Sequence, residues 1–172
     1  MIMIETERLI LRQPILQDYE PGAAFLASDR TKYMGGKRNA QEAWRSLAAM
    51  AGHWALRGYG FFSFALKGET AACGLAGPQQ LGFYSEIEIG YSLWRADLEG
   101  TGIAFEAVKA ARQWAWANVP YAPGFVSYID PENTRSIALA KRLGATLDTS
   151  VDHPYGDEPC VTYRHPQPEG AE

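Results

Sequence analysis

A chain of 172 residues with 47% hydrophobic and 21% charged side chains has the length and balance of one globular domain with its own core. A net charge of −4 offers no basic field to nucleic acid or an anionic membrane, and no apolar run is long enough to cross a bilayer. Met1 is not followed by a charged n-region and an apolar h-region, so no signal peptide is expected.

In chain order, Leu9–Arg12 opens as a short strand. Asp18 to about Ala27 reads as a weak helix, with Asp18 as N-cap and Pro21 in its first turn. From Ala40 to about Arg57, Trp44, Leu47, Ala48, Ala51 and Ala55 recur at helical spacing, and Gly58 and Gly60 end the helix. Strands follow at Phe61–Leu66, Ala71–Leu75 and Tyr84–Leu93. The last sets Ile87, Ile89, Tyr91 and Leu93 on one face and Glu86, Glu88, Gly90 and Ser92 on the other. A helix from about Gly102 to Asn118 turns Ala104, Ala107, Val108, Ala111 and Trp114 to one side, so Trp44 and Trp114 are both expected on core faces. Phe125–Ile129 is a strand, and Asn133–Leu143 a helix closed by Gly144. Ala145–Val151 and Val161–His165 read as an antiparallel pair, and Pro166–Glu172 as a disordered tail. The order β-α-α-β-β-β-α-β-α-β-β implies an α/β (α+β) domain with helices packed on a mixed sheet.

Two loops carry chemistry. Gly100 and Gly102 stand where a strand passes into a helix. Free N–H groups and the dipole there suit a phosphate, though a tight turn without ligand accounts for the glycines equally well. A dinucleotide fingerprint fails at Phe105, and the GKS or GKT of a P-loop is absent. The second loop is Asp130–Ser136, where Asp130 or Asn133 can cap the following helix.

Taken together these segments resemble the GNAT superfamily of acyl-CoA N-acyltransferases. Glu99-Gly100-Thr101-Gly102-Ile103-Ala104-Phe105-Glu106-Ala107 resembles its pyrophosphate-binding motif. Asn133 to Ala145 is similar to its N-x-x-S/A…LG segment, and Glu88-Ile89-Gly90-Tyr91 to its central strand. Glu5–Arg12 resembles the start of the ribosomal-protein-serine/alanine N-acetyltransferase-like branch. The resemblance implies one domain over 1–165, a mostly antiparallel seven-stranded sheet splayed between strands 4 and 5, and about four helices. It also implies acetyl-CoA as co-substrate. The implied cofactor contacts are Ile89, Gly90, Tyr91, Ser92, Leu93, Glu99, Gly100, Thr101, Gly102, Ile103, Ala104, Asn133, Ser136 and Arg142. Two positions depart from the pattern. Glu99 stands where Gln or Arg is usual and is expected to point to solvent. Ala140 stands where many members carry a tyrosine acid, with Ser136 in its place.

An attacking amine must lose a proton, and the leaving thiolate must gain one. Glu88 is the candidate base and Ser136 the candidate acid; each also has a plain structural reading, as a surface carboxylate and as a helix-terminal hydrogen bonder. Glu86 is the backup base, and Asp157 and Glu158 stand further out. Arg135, Lys141 and Arg142 are the cations nearest the glycine loop. His53, His153 and His165 lack metal spacing, so no metal is expected. Cys73 and Cys160 stand without CxxC spacing and read as reduced cytoplasmic thiols, with a disulfide between them left open. The acceptor is read as a primary amine, either a protein N-terminus or a small molecule. It would be met by the first helices, Phe83-Tyr84 and Tyr155–Glu158. No nucleic acid or membrane partner is expected, and oligomeric state is open, a homodimer included. A non-catalytic acyl-CoA sensor and a nucleotide-binding α/β module are the alternatives.

Overall fold

The computed structural model describes residues 2–119 and 124–168. Its strands are β1 (Met3–Glu5), β2 (Leu9–Arg12), β3 (Phe62–Leu66), β4 (Gly74–Gln79), β5 (Ile87–Leu93), β6 (Phe125–Ile129), β7 (Thr146–Leu147) and β8 (Val161–His165). Its α-helices are α1 (Tyr19–Leu26), α2 (Ala40–Arg57), α3 (Ile103–Asn118) and α4 (Thr134–Arg142). The strands form one sheet in the order β1-β2-β3-β4-β5-β6-β8-β7. It has eight strands, not seven, because Met3–Glu5 adds an edge strand to β2. Every pairing is antiparallel except β5 with β6. That pair keeps only Ile87↔Phe125 and Glu88↔Val126 before the strands part, which is the expected splay.

The helices follow their local signals. Asn39 and Glu42 form a reciprocal cap on α2, and Gly58 ends it in the left-handed region at φ 75°. The buried face of α2 is not the expected one. Ala43 and Trp54 point inward, whereas Trp44 is half exposed and meets Tyr19 edge-on. Trp54 sends its indole N–H to the Phe61 carbonyl and packs on Phe62 and Trp114. Asp18 precedes α1 but does not cap it. Its fully buried carboxylate instead takes the Arg12 guanidinium at 2.7 and 2.8 Å and the Ile15 N–H. Such a pair fixes geometry more than it adds stability.

The main core lies between the sheet and α3. Ile103, Ala107, Val108, Ala111 and Ala115 face Leu9, Leu11, Phe62, Phe64, Ile87 and Ile89. The alanines let the helix approach closely, and each fully buried phenylalanine contributes roughly 2 kcal/mol. A smaller cluster of Ile129, Ala140, Ala145 and Tyr163 seats α4. Ala140 is thus a packing residue with no exposed surface.

Three strands depart from expectation. β4 runs Gly74–Gln79 rather than Ala71–Leu75, carrying Gly77 and the buried Pro78 through the middle of the sheet. β5 begins at Ile87, because Leu81–Tyr84 closes a turn with the Tyr84 N–H on the Leu81 carbonyl. β7 stops at Leu147, because Asp148 turns the chain by accepting from the Ser150 N–H and hydroxyl. Of the expected tail, residues 169–172 lie outside the described residues.

Candidate active site

Within a strand, the N–H and C=O of one residue point to the same side, and neighbours alternate. Pro78 has no N–H and stands opposite Ile89, so that pair makes no ladder bond and Ile89 turns its polar groups toward β6. The Ile89 carbonyl accepts the Ser127 hydroxyl there, at 2.6 Å. Tyr91 turns the same way two residues on, past the last β5–β6 pair. Its amide is therefore aimed into the gap. Gly90 is required between them: a Cβ there would sit 2.7 Å from the Phe61 ring and 3.4 Å from Glu88 Oε1.

A cleft of about 1540 Å³ opens over this gap, bounded by α1, α2, β5, the loop before α3, and α4. It has room for two ligands side by side. Glu88 lies in its wall, 7% exposed. Burial raises its carboxyl pKa to about 7, only partly opposed by hydrogen bonds from Gln79 and Tyr84. The Gln79 amide donates to Oε2 at 2.7 Å, and among the described residues no cation pairs with this carboxylate. Glu86, the backup base, is instead gripped by Arg164 at 2.7 and 2.8 Å. Asp157 and Glu158 are exposed, and only Glu158 lines the cleft.

The glycine loop is built as a cradle. Gly100 and Gly102 are left-handed at φ 75° and 83°, and α3 starts directly after them. No acceptor among the described residues takes the N–H groups of Gly100, Gly102, Ile103 or Ala104. Such a run of free amides at a helix start suits a diphosphate. The Thr101 N–H and hydroxyl both close on the Leu98 carbonyl, so neither is free for a ligand, and the Ile103 side chain is core, so Ile103 can offer only its N–H. The loop is braced from behind. Arg8 donates to the Thr101 carbonyl and to Glu106, which also accepts from Thr6.

Glu99 is exposed, but its carboxylate is not free. Its two oxygens hold Arg30 at 2.8 Å and Arg135 at 2.6 Å. Arg30 also donates to the carbonyls of Leu93 and Trp94, so the Leu93 carbonyl is already committed. The Ser92 hydroxyl is likewise taken, by the Trp94 indole. A lone carboxylate beside the cradle would repel an anion by about 1 kcal/mol if solvated. Two guanidiniums around it reverse that sign. Arg142 lies over the Phe105 ring at 4.1 Å and also lines the cleft.

On the far side of the gap, Asn133 caps α4 through the Ser136 N–H at 3.2 Å. The Tyr91 hydroxyl donates to the Ser136 carbonyl at 2.9 Å, tying β5 to α4. Ser136 lines the cleft. Sequence reasoning missed Arg30, Gln79, Tyr128 and the Ser127–His165 pair, all recruited from distant segments.

The remaining reactive groups are structural. His53 bonds Tyr59 O through Nδ1 and Gln80 N through Nε2, leaving neither ring nitrogen free. His165 is buried between Arg112 and Ser127, and burial with the nearby guanidinium pushes its pKa down to about 3. Cys73 and Cys160 are free thiols, each raised to about 11 by burial and so poorly nucleophilic at neutral pH. Among the described residues there is no cluster of metal-ligating side chains, and no helix is long and apolar enough to cross a membrane.

Comparison with known proteins agrees with this arrangement. An acetyltransferase from Agrobacterium tumefaciens is 31% identical, with 97% of this chain and 95% of that one covered at a TM-score of 0.88. Two more distant structures share the fold. One is the Salmonella typhimurium acetyl transferase that modifies the N-terminal serine of a 50S ribosomal subunit protein (18% identity, 98% and 100% covered, TM-score 0.76). The other is the ribosomal alpha-N-protein acetyltransferase RimL, solved with coenzyme A (18%, 95% and 96%, 0.68). Residues 8–146 match the acetyltransferase (GNAT) domain, and the chain belongs to that family.

Proposed function

We propose that the protein is an N-acetyltransferase that moves an acetyl group from acetyl-CoA to a primary amine by direct attack, both substrates being held in the cleft together. The acceptor is a protein N-terminus or a small amine. Residues 1–165 form the transferase domain, and 166–172 a tail. Likeness in fold to the ribosomal-protein acetyltransferases supports the same branch, and two free thiols support a cytoplasmic setting.

The observation that carries this reading is Glu88: a buried carboxyl with a pKa near neutrality, in the wall of a cleft, beside a gap that receives an unpaired amide. Bound acetyl-CoA supplies the acetyl group as a thioester with a thiol leaving group. The amides of 100, 102, 103 and 104, with Arg30, Arg135 and Arg142 nearby, suit its diphosphate. Glu88, directly or through water, takes the proton that the ammonium must lose before its nitrogen can attack. The Tyr91 N–H donates to the attacked carbonyl oxygen as negative charge builds on it. Ser136 gives a proton to the departing sulfur. The net change is amine plus thioester to amide plus thiol. The high thiol pKa values at Cys73 and Cys160 speak against an acyl-cysteine route.

Release of free thiol from acetyl-CoA, with a panel of amines and purified protein, tests the proposal. Thiol release that depends on the amine, with the acetylated product seen by mass spectrometry, is the expected result. Tight acetyl-CoA binding with no turnover on any amine would instead establish a sensor.

A further inference from the structure

The acceptor end of the cleft has a defined chemistry. Tyr84, Tyr128 and Tyr155 meet edge-to-face, with centroids 5.6, 6.2 and 6.1 Å apart. The hydroxyls of Tyr84 and Tyr155 are joined at 2.8 Å, which locks the group. Phe83 adds a fourth ring, 5.1 Å from Tyr84 and 67% exposed. Phe83 and Tyr155 carry the exposed surface, with Tyr84 and Tyr128 buried behind them; exposed aromatic surface at a cleft marks a place where a ligand is covered rather than solvated.

Among the described residues, Glu88 is the buried carboxyl at this end. Among the described residues, the cations that line the cleft are engaged away from Glu88, Arg142 by stacking on Phe105 beside the glycine loop. Arg30 and Arg135 hold Glu99, Lys32 faces Glu132, and Arg38 bonds Ser46 and the Met34 carbonyl. A cation brought by a ligand would therefore meet the ionised Glu88 without competition from these side chains. The nearby main-chain groups are also closed, since His53 takes both Tyr59 O and Gln80 N. A peptide lying here would find few partners for its amides, and a carboxylate would face Glu88 with no arginine to meet it.

We propose that the acceptor is a small primary amine on an aromatic or apolar body, without a carboxylate, its ring against Tyr84, Tyr155 and Phe83 and its ammonium at Glu88. This rests on the acetyltransferase reading and narrows it. π faces and a desolvated carboxylate together favour such a cation, whereas free amino acids are rejected by like charge.

The test compares 2-phenylethylamine, phenylalanine and a serine-initial hexapeptide as acceptors with acetyl-CoA. The expected order places phenylethylamine first, with kcat/KM about 10²-fold or more above phenylalanine. Tyr155→Ala should raise its KM about tenfold while kcat stays within about twofold. Tyr155→Phe keeps the ring and should restore most of the loss, which a folding defect would not allow. A hexapeptide or phenylalanine turned over as well as phenylethylamine overturns the inference but leaves the acetyltransferase reading standing. Saturable phenylethylamine binding that Tyr155→Ala weakens, without turnover, supports the pocket and rejects the transfer. No saturable binding of phenylethylamine overturns the inference outright.

Discussion

Ser127 donates its hydroxyl hydrogen to the Ile89 carbonyl at 2.6 Å, at the point where β5 leaves β6. Because that hydrogen is spent, the His165 Nε2–H must donate to the Ser127 oxygen at 2.9 Å. Ser127→Ala leaves the Ile89 carbonyl and the His165 Nε2–H without these partners in a buried site. The expected loss is about 1–3 kcal/mol of stability, read from urea midpoints. The expected fall in kcat exceeds any change in acetyl-CoA KM, since the gap loses its edge while the cradle is untouched.

Glu88→Gln should lower kcat by about 10²-fold or more. In the native enzyme kcat/KM should rise with pH through about 7 as the carboxyl ionises, and the variant should lack that inflection. The same change should stabilise the fold. The folded-state pKa lies above the unfolded one, so the folded protein binds the extra proton between about 4.5 and 7 and loses stability as pH rises across that window. At pH 8 the variant should be more stable by up to about 3 kcal/mol, with the difference vanishing near pH 4. Equal stability at both pH values would contradict the burial of this charge.

His165 gives the opposite slope. Its folded pKa is near 3, against about 6.5 when unfolded, so the unfolded chain takes the proton first as pH falls. Stability should drop from pH 6.5 toward 3. His165→Gln can still accept from Arg112 and donate to Ser127, and should flatten that drop. Denaturation midpoints at pH 7 and pH 4 measure it.

Glu99→Gln frees Arg30 and Arg135 from their shared carboxylate. CoA should then bind about fivefold more tightly, a change of about 1 kcal/mol, and the gain should shrink with added salt. Arg135→Ala should act in the other direction. Titration calorimetry at two ionic strengths separates the cases.

Gly90→Ala should cost about 1–3 kcal/mol, because the new Cβ meets the Phe61 ring at 2.7 Å. Pairing it with Phe61→Leu should recover part of that stability, and thermal melts of the single and double variants decide the point.

The two loops and most elements were legible because their signals are local. Asn133 to Gly144 carries its own cap and stop, and Gly100 with Gly102 announces a left-handed turn. What stayed hidden depended on partners far along the chain. Glu86 and Glu88 share a strand face and look alike in sequence; Arg164 from β8 disarms one and leaves the other alone. Glu99 looked like a liability until Arg30, from a stretch without periodicity, closed on it. Helical spacing sets Trp44 on the core face of α2, but Ala43 is the residue buried there and Trp44 rests on Tyr19. The β4 boundary is not legible locally, since Gly77 and Pro78 both disfavour a strand interior and only the pairing with β5 shows the position that tolerates a proline.

That proline pins the alignment of its strand. Sliding β4 by one residue against β5 would set Pro78 opposite a residue that turns its carbonyl inward, and that carbonyl would go dry. The slipped pairing is therefore disfavoured even where the apolar pattern would accept it. The count from Pro78 to the gap is fixed, so a residue inserted into the 80–86 connection should be absorbed by the turn and leave the meeting point of the two substrates where it was.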